Sequence, residues 1–107
     1  MTTPDNRDYP DNRDYDAIRR DFSWSRPDRY NFARDVVDAW AARDPAKRAL
    51  LWVDDAGRVE ERSFAQIADA SRRLANVLTR AGVRRGETVI VILGRQIAWW
   101  EAVTACL

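Results

Sequence analysis

Residues 63–93 read SFAQIADASRRLANVLTRAGVRRGETVIVIL, and this stretch decides the fold class of the chain. Ser63 and Gln66 form a capping box, in which the hydroxyl and the amide each bind a free backbone N–H of the first helical turn. Gly82 predicts the end of the helix, because Gly adopts the left-handed conformation at the least cost. A turn and the aliphatic run Thr88–Leu93 follow. This order of helix, turn and strand favours an α/β fold.

The faces of these two elements are predicted from their patterns. The expected inward stripe of the helix comprises Phe64, Ile67, Leu74 and Leu78. On the solvent side, Asp69 lies three and four residues before Arg72 and Arg73, a spacing worth about 0.2–0.5 kcal/mol per pair. Residues 88–93 do not alternate between apolar and polar, so we expect burial on both faces, as in a central parallel strand.

A further helix is predicted before this stretch, over residues 31–43. Asn31 is a good N-cap residue, and Asp44-Pro45 ends the helix because the residue before Pro is disfavoured in helical conformation. The expected apolar stripe comprises Phe32, Val36 and Trp40.

A β-hairpin is predicted between the two helices. Ala49–Val53 is an apolar run and Arg58–Arg62 a more polar one, and Asp54–Gly57 between them has the composition of a turn. At the other end of the sequence, Gly94–Gln96 is a short loop and Ile97–Leu107 an apolar helix with no polar cap. We therefore expect the front end of a longer fold.

The first 30 residues differ in composition from the rest. Pro4–Tyr9 is repeated without change as Pro10–Tyr15, and residues 1–30 hold seven Asp and six Arg. Such a segment buries too little apolar surface to offset its ordering entropy. We predict a disordered arm over residues 1–21 and the start of a folded domain over residues 22–107. A Tyr-bearing docking tail is the alternative for the arm.

The composition of the 107 residues excludes several classes of protein. The net charge of +1 argues against a dedicated nucleic-acid or membrane-surface protein. One Cys excludes a disulfide framework and, with no His, a His/Cys metal site. The longest apolar run, Val89–Leu93, is far shorter than the ~20 residues that span a bilayer. Met1–Asp5 shows no signal-peptide pattern, so a cytoplasmic location is expected.

Six features are candidates for chemistry: Cys106, Glu60-Glu61, Gly82–Gly86, Gly94, Arg84-Arg85 and Trp99-Trp100. Cys106 lies in an apolar helix, which indicates a packing residue rather than a nucleophile. Glu60 and Glu61 point to opposite faces of a strand and cannot share a substrate. Gly82–Gly86 joins a helix to a strand, whereas a phosphate-binding Gly loop runs from strand to helix.

The remaining candidates are also weak. Gly94 lies in a strand-to-helix turn but has no Lys or Ser/Thr behind it, so nucleotide contact there is poorly supported. Arg84-Arg85 indicates a solvated turn, with an acidic or phosphate partner as the alternative. Trp99-Trp100 lie ~100° apart on a helix, so one should face the core and one a neighbouring element. Stacking on a base or lining an acyl pocket is the alternative for this pair. We assign no catalytic, cofactor-binding or metal residue.

The order of several segments resembles the N-terminal end of the adenylate-forming acyl-CoA synthetases, most closely the medium-chain group. The resemblance covers residues 22–107. It is carried by Tyr30–Trp40, Ala49–Gly57, Ala75–Leu78, Gly82–Val89, Leu93–Arg95, Trp99–Ala102 and Ala105-Cys106. The chain departs from the group at Gly94, where Pro is usual, and at Ile97-Ala98, where Pro-Glu is usual.

The resemblance implies the reaction of the full-length relatives. A carboxylic acid, expected to be a medium-chain fatty acid or an aromatic acid, attacks the α-phosphate of ATP with magnesium to give an acyl-adenylate. The thiol of coenzyme A then displaces AMP. The family's phosphate loop, adenine motif, ribose-binding Asp and catalytic Lys are expected beyond Leu107, so this segment alone should be an inactive scaffold whose partner is the remainder of the synthetase.

Two other function classes stay open. A truncated interaction module would dock through its open sheet edge and Tyr-rich arm. An Arg-rich nucleic-acid binder is less compatible with the sequence, because Asp residues match the Arg residues and no basic stripe forms. The chain alone is expected to be poorly packed or self-associating, because Thr88–Leu93 is an uncharged, β-rich run with an open edge.

Overall fold

The computed structural model describes residues 15–107. Its elements follow the order of a mixed α/β protein, so the predicted fold class is confirmed. The helices are α1, Tyr15–Asp21; α2, with a π-helical half Ala33–Asp38 and an α-helical half Ala39–Arg43; α3, Phe64–Arg80; and α4, Ile97–Cys106. The strands are β1, Arg48–Val53, and β2, Val59–Ser63.

Helix α1 lies within the residues that were predicted to form a disordered arm. Tyr15–Asp21 is helical, with Asp16 in the first turn and Arg19 and Arg20 in the last. These charges complement the helix dipole, which explains a short helix that buries none of its residues. The rest of the predicted arm, residues 1–14 with most of the hexapeptide repeat, lies outside the described residues.

Helix α2 starts as predicted, at Asn31. The Asn31 side-chain oxygen accepts the Arg34 N–H at 3.0 Å, and the Asn31 N–H donates to Asp35 at 2.7 Å. Val37 is the buried residue of this helix, and the predicted stripe lies beside it, with Val36 and Trp40 half-buried and Phe32 46% exposed. The first half of the helix is π-helical, and its i→i+5 bonds depart from the 3.6-residue period on which the stripe was predicted.

The predicted hairpin is confirmed. Strands β1 and β2 pair antiparallel, with Leu51 opposite Glu61 and Val53 opposite Val59. The turn between them contains Gly57 at φ 79°, the left-handed conformation that Gly favours. The hairpin is the whole sheet among residues 15–107, so the outer edge of each strand is unpaired in that part of the chain.

Helix α3 follows its sequence signals closely. The Ser63 hydroxyl accepts the Gln66 N–H at 3.2 Å, and the Gln66 side chain accepts the Ser63 N–H at 2.9 Å. Ile67 and Ala68 are buried, and the other residues of the predicted stripe are half-buried. Gly82 ends the helix at φ 95°, as predicted.

The prediction of a doubly buried parallel strand over residues 88–93 is wrong. No strand forms there, and Ile90 and Ile92 are 81% and 88% exposed. A parallel strand needs neighbours on both edges and helices over both faces, and residues 15–107 supply neither in full. Helix α4 forms as predicted and packs mainly on α3.

The hydrophobic core of the described residues is small. It consists of Val37 from α2 with Ile67 and Ala68 from α3, and Ala41 and Phe64 pack against it. Large exposed hydrophobic side chains outnumber these buried ones several-fold. Isolated exposed apolar residues are ordinary, but a set this large relative to the core indicates surface that other protein normally covers.

Candidate functional site

An apolar groove lies between α2, β1, α3 and α4. Its volume is about 220 Å³. The lining residues are Phe32, Val36, Val37, Ala49, Leu50, Phe64, Ile67, Trp100 and Thr104. Their side chains are apolar apart from Thr104, whose hydroxyl donates to the Trp100 carbonyl at 2.7 Å. The groove can hold an apolar group, and its lining offers no titratable side chain for catalysis.

The adjacent residues Trp99 and Trp100 differ in burial, as their separation of ~100° around a helix predicts. Trp99 is half-buried, whereas Trp100 is 51% exposed and lines the groove. Their ring centroids lie 4.8 Å apart at an interplanar angle of 83°, an edge-to-face contact. Each ring therefore packs partly on the other, and neither forms a flat exposed stacking platform with its neighbour.

A second aromatic cluster surrounds Trp40. Its ring stacks on Phe64 with centroids 5.9 Å apart, and the Lys47 ammonium and the Arg43 guanidinium lie 4.5 and 5.0 Å from its centroid. Cation–π contacts of this kind contribute about 0.5–1 kcal/mol each at exposed sites. Sequence reasoning missed this cluster. The available signal was Arg43 three positions after Trp40, on the same side of a helix.

The acidic pair of β2 is separated as predicted. Glu61 pairs with Arg48 across the hairpin at 2.8 Å, and Glu60 pairs with Arg62 at 3.3 Å. These exposed ion pairs contribute little stability. On α3, Asp69 pairs with Arg73 at 2.9 Å as expected, whereas Arg72 reaches Asp38 of α2 at 2.6 Å instead.

The turn after α3 is also solvent-exposed, as predicted for Arg84 and Arg85. The Arg84 N–H donates to the Glu87 carboxylate at 2.7 Å. Arg85 borders an open polar cleft of about 850 Å³. The cleft is lined by Asp28, Arg29, Tyr30, Asn31, Arg34, Arg85 and Leu107. Asp28 accompanies the arginines of this cleft, and Arg34 is bound to Asp35 at 2.9 Å.

Cys106 and the Gly94 loop have no catalytic partners in the described part of the chain. Cys106 is exposed at the end of α4, so its assignment as a packing residue is wrong. Cys106 nevertheless borders a cavity together with Ala75 and Leu78 of α3. The loop is tied to the hairpin instead, because the Trp52 indole N–H donates to the Arg95 carbonyl at 2.8 Å. The Asn31 amide similarly donates to the Leu107 carbonyl.

Local hydrogen bonds lower the pKa values of two exposed carboxyl groups, those of Asp35 and Asp54. The Arg34 side chain and then the Asn31 N–H hold the pKa of Asp35 below its ordinary value. The Arg58 side chain and backbone N–H do the same for the pKa of Asp54 in the hairpin turn. Both carboxylates bind their own neighbours, so these shifts reflect a helix cap and a turn rather than a catalytic acid or base.

Clusters of metal-ligating side chains and membrane-spanning helices are both absent from the described part of the chain. Residues 15–107 contain no group of three or more His, Cys, Asp or Glu side chains that could hold a metal ion. No helix in that range is long and apolar enough to cross a membrane.

The comparisons with known proteins define the class of the chain. The AMP-binding enzyme family matches residues 37–107, a range that includes both strands, α3, residues 88–93 and α4. The chain belongs to this family.

Two relatives show which kind of AMP-binding enzyme the chain is similar to. Acyl-coenzyme A synthetase ACSM3, mitochondrial, of Homo sapiens is 38% identical over 98 residues, which is 86% of this chain and 17% of the relative. Acyl-coenzyme A synthetase ACSM4, mitochondrial, of Rattus norvegicus is 41% identical over 87 residues, 76% of this chain and 15% of the relative. The chain thus spans less than a fifth of either relative. The matches confirm the resemblance to acyl-CoA synthetases that the sequence indicates.

Proposed function

We propose that this chain is the N-terminal scaffold segment of an AMP-forming acid–CoA ligase. The complete enzyme would activate a medium-chain fatty acid or an aromatic acid with ATP and magnesium, and would transfer the acyl group to coenzyme A. The segment by itself is inactive in this proposal. The match of residues 37–107 to the AMP-binding enzyme family carries it.

The packing of the segment supports a scaffold role. The three buried hydrophobic side chains come from α2 and α3 alone, while Ile90, Ile92 and Trp100 are exposed. In a complete synthetase, further strands and helices would cover this surface, and the covered segment would brace the domain that holds the active site. Burial of apolar surface, worth about 25 cal/mol per Å², is the contribution of such a segment to the whole enzyme.

The chemistry of the reaction explains the expected inactivity. Transfer of an adenylyl group develops negative charge on phosphate oxygens, which needs a metal ion and cationic donors placed around them. Several exposed arginines of the segment are engaged with neighbouring carboxylates, as Arg34 with Asp35 and Arg58 with Asp54. In the proposal, ATP, magnesium and coenzyme A are therefore bound by the remainder of the synthetase.

Pyrophosphate release tests the inactivity of the isolated chain. The purified chain is incubated with ATP, magnesium and either octanoate or benzoate, and a full-length acyl-CoA synthetase serves as the positive control. We expect release at the level of the buffer control. Sustained release that copurifies with the chain through two unrelated separations would overturn this part of the proposal.

One observation favours a second function, that of a non-catalytic interaction module. The outer edge of β1 has no partner strand among residues 15–107, and Leu51 and Val53 are 48% and 51% exposed. An open edge of this kind can accept a strand from another protein. The Tyr-rich arm would add to the docking surface.

The location of the protein is a further part of the proposal. We propose the cytoplasm as the compartment of this chain, although both relatives named above are mitochondrial proteins by name. Fluorescence microscopy of the chain with a C-terminal fluorescent tag tests this, and signal confined to an organelle would contradict it.

A further inference from the structure

Helix α4 begins without the local features that usually start a helix. Gln96 occupies the N-cap position with φ −125° and ψ 154°, but its side chain makes no capping hydrogen bond. The first turn holds no acidic residue to interact with the helix dipole. Helix α3 is the contrast, because its capping box at Ser63 satisfies the first turn from within the sequence. The start of α4 therefore depends on contacts from other segments.

One such contact comes from the hairpin. The Trp52 indole N–H donates to the Arg95 carbonyl at 2.8 Å, across 43 positions of sequence. Within residues 15–107, this is the single hydrogen bond between the hairpin and the residues from Gly94 onwards. We call it the Trp52–Arg95 bond.

The bond acts on the peptide group that leads into α4. The Arg95 carbonyl and the Gln96 N–H belong to one planar peptide group. The carbonyl accepts from Trp52, and the N–H donates to the Gly94 carbonyl at 2.8 Å. Both polar groups of this peptide are therefore bonded, which fixes the direction in which the chain enters the helix.

The Trp52 side chain also faces the first turn of α4. Trp52, Ile97 and Ala98 border a cavity of about 270 Å³ between the hairpin and the helix. Trp52 is half-buried and lies on the same face of β1 as Leu50, two positions earlier. Leu50 in turn lines the apolar groove together with Trp100 of α4. The Trp52–Arg95 bond thus joins two of the elements that form this groove.

We propose that Trp52 is the positioning residue for α4. Its indole N–H holds the Arg95–Gln96 peptide group in the orientation from which the helix starts, and so replaces the missing N-cap interaction. Through α4, the bond sets the position of Trp100 relative to Leu50 in the groove. When the bond is lost, the first turn of α4 opens while α3 stays folded. The proposal goes beyond the ligase function proposed above and does not depend on it.

Amide hydrogen exchange of the full chain, followed by NMR, tests this role. The Trp99 N–H reports on the first turn of α4, where it donates to the Gln96 carbonyl at 3.1 Å. Trp52→Phe keeps an aromatic ring and removes the donor, so the Trp99 N–H should exchange about fivefold faster, as for the loss of one hydrogen bond. The Leu74 N–H of α3 should be unaffected. Trp24→Phe makes the same change at a side chain that is 82% exposed, and is the matched control.

A repaired N-cap separates positioning from a general effect on stability. Gln96 already has the extended backbone of an N-cap residue, so Gln96→Ser supplies a hydroxyl that can accept a first-turn N–H. In this background, Trp52→Phe should accelerate exchange of the Trp99 N–H by less than about twofold, because the turn no longer depends on the Trp52–Arg95 bond. An equal acceleration in both backgrounds, or an equal acceleration at Trp99 and Leu74, would overturn the proposal.

The unchanged chain gives a second readout that does not depend on the folding of a variant. The Trp52 indole N–H should exchange with solvent about fivefold more slowly than the indole N–H of the exposed Trp24, because one hydrogen bond protects it. Equal exchange at the two indoles would show that the bond is not formed. Together with an unchanged Trp99 N–H in Trp52→Phe, or without it, that result would contradict the proposal.

Discussion

At the scale of single residues, the N-terminus of α2 shows how a local hydrogen bond sets a titration. Asp35 accepts from the Arg34 guanidinium and from the Asn31 N–H. We predict that Arg34→Gln raises the pKa of Asp35 towards its ordinary value, while the Asn31 contact keeps it from reaching that value. Carboxyl-carbon NMR titration measures the change. Arg58→Gln is the matched control, because it should raise the pKa of Asp54 and leave Asp35 unaffected.

The direction of the associated pH dependence follows from the lowered pKa values. A carboxylate with a folded pKa below the unfolded value stabilises the fold above the unfolded pKa. As the pH falls below about 3.8, the ordinary pKa of Asp, and then through the lower pKa values of the two carboxyls in the folded chain, that stabilisation is lost. Helical signal should therefore decline on acidification at a higher pH in Arg34→Gln than in the unchanged chain. An identical acid transition in both would contradict the assigned cause.

At the scale of elements, the small core depends on α3. Ile67 is 5% exposed and contacts Val37 and Ala68 in that core. We predict that Ile67→Ala lowers the free energy of unfolding by about 2 kcal/mol, the lower end for such changes, because the groove beside it lets the site relax. Urea denaturation followed by far-ultraviolet circular dichroism measures this.

The matched control for this prediction lies on the same helix. Val77 is 56% exposed, so Val77→Ala should change the free energy of unfolding by less than about 0.5 kcal/mol. Equal effects of Ile67→Ala and Val77→Ala would mean that α3 is not held by the core described above.

Elements with short-range determinants could be predicted from the sequence. The capping box at Ser63, the left-handed Gly82 and the hairpin turn at Gly57 each depend on residues within a few positions, and the structure contains all three. The burial of residues 88–93 could not be predicted in this way, because it depends on distant strands. The burial of Val37, outside the predicted stripe of α2, could not be predicted either, because the π-helical turns depart from the period on which that stripe was based.

The same distinction applies to the candidate site. The separation of Glu60 from Glu61 and the division of Trp99 from Trp100 follow from strand and helix periods, and both hold in the structure. The apolar groove could not be predicted, because it forms where four elements meet. The exposure of Cys106 likewise depends on tertiary packing and not on its local sequence.

At the scale of the whole molecule, the chain is a segment of an AMP-binding enzyme. Among residues 15–107, its large exposed hydrophobic side chains outnumber the buried ones. The most direct test is a chimera in which residues 22–107 replace the matching part of human acyl-coenzyme A synthetase ACSM3. Acyl-CoA formation from ATP, coenzyme A and a carboxylic acid that the parent enzyme accepts is measured beside the parent enzyme. A chimera with Ile67→Asp, a charge placed in the core, is the negative control. We predict that the first chimera forms acyl-CoA and that the Ile67→Asp control does not. A first chimera that has the melting temperature of the parent enzyme but forms no acyl-CoA would contradict the scaffold role.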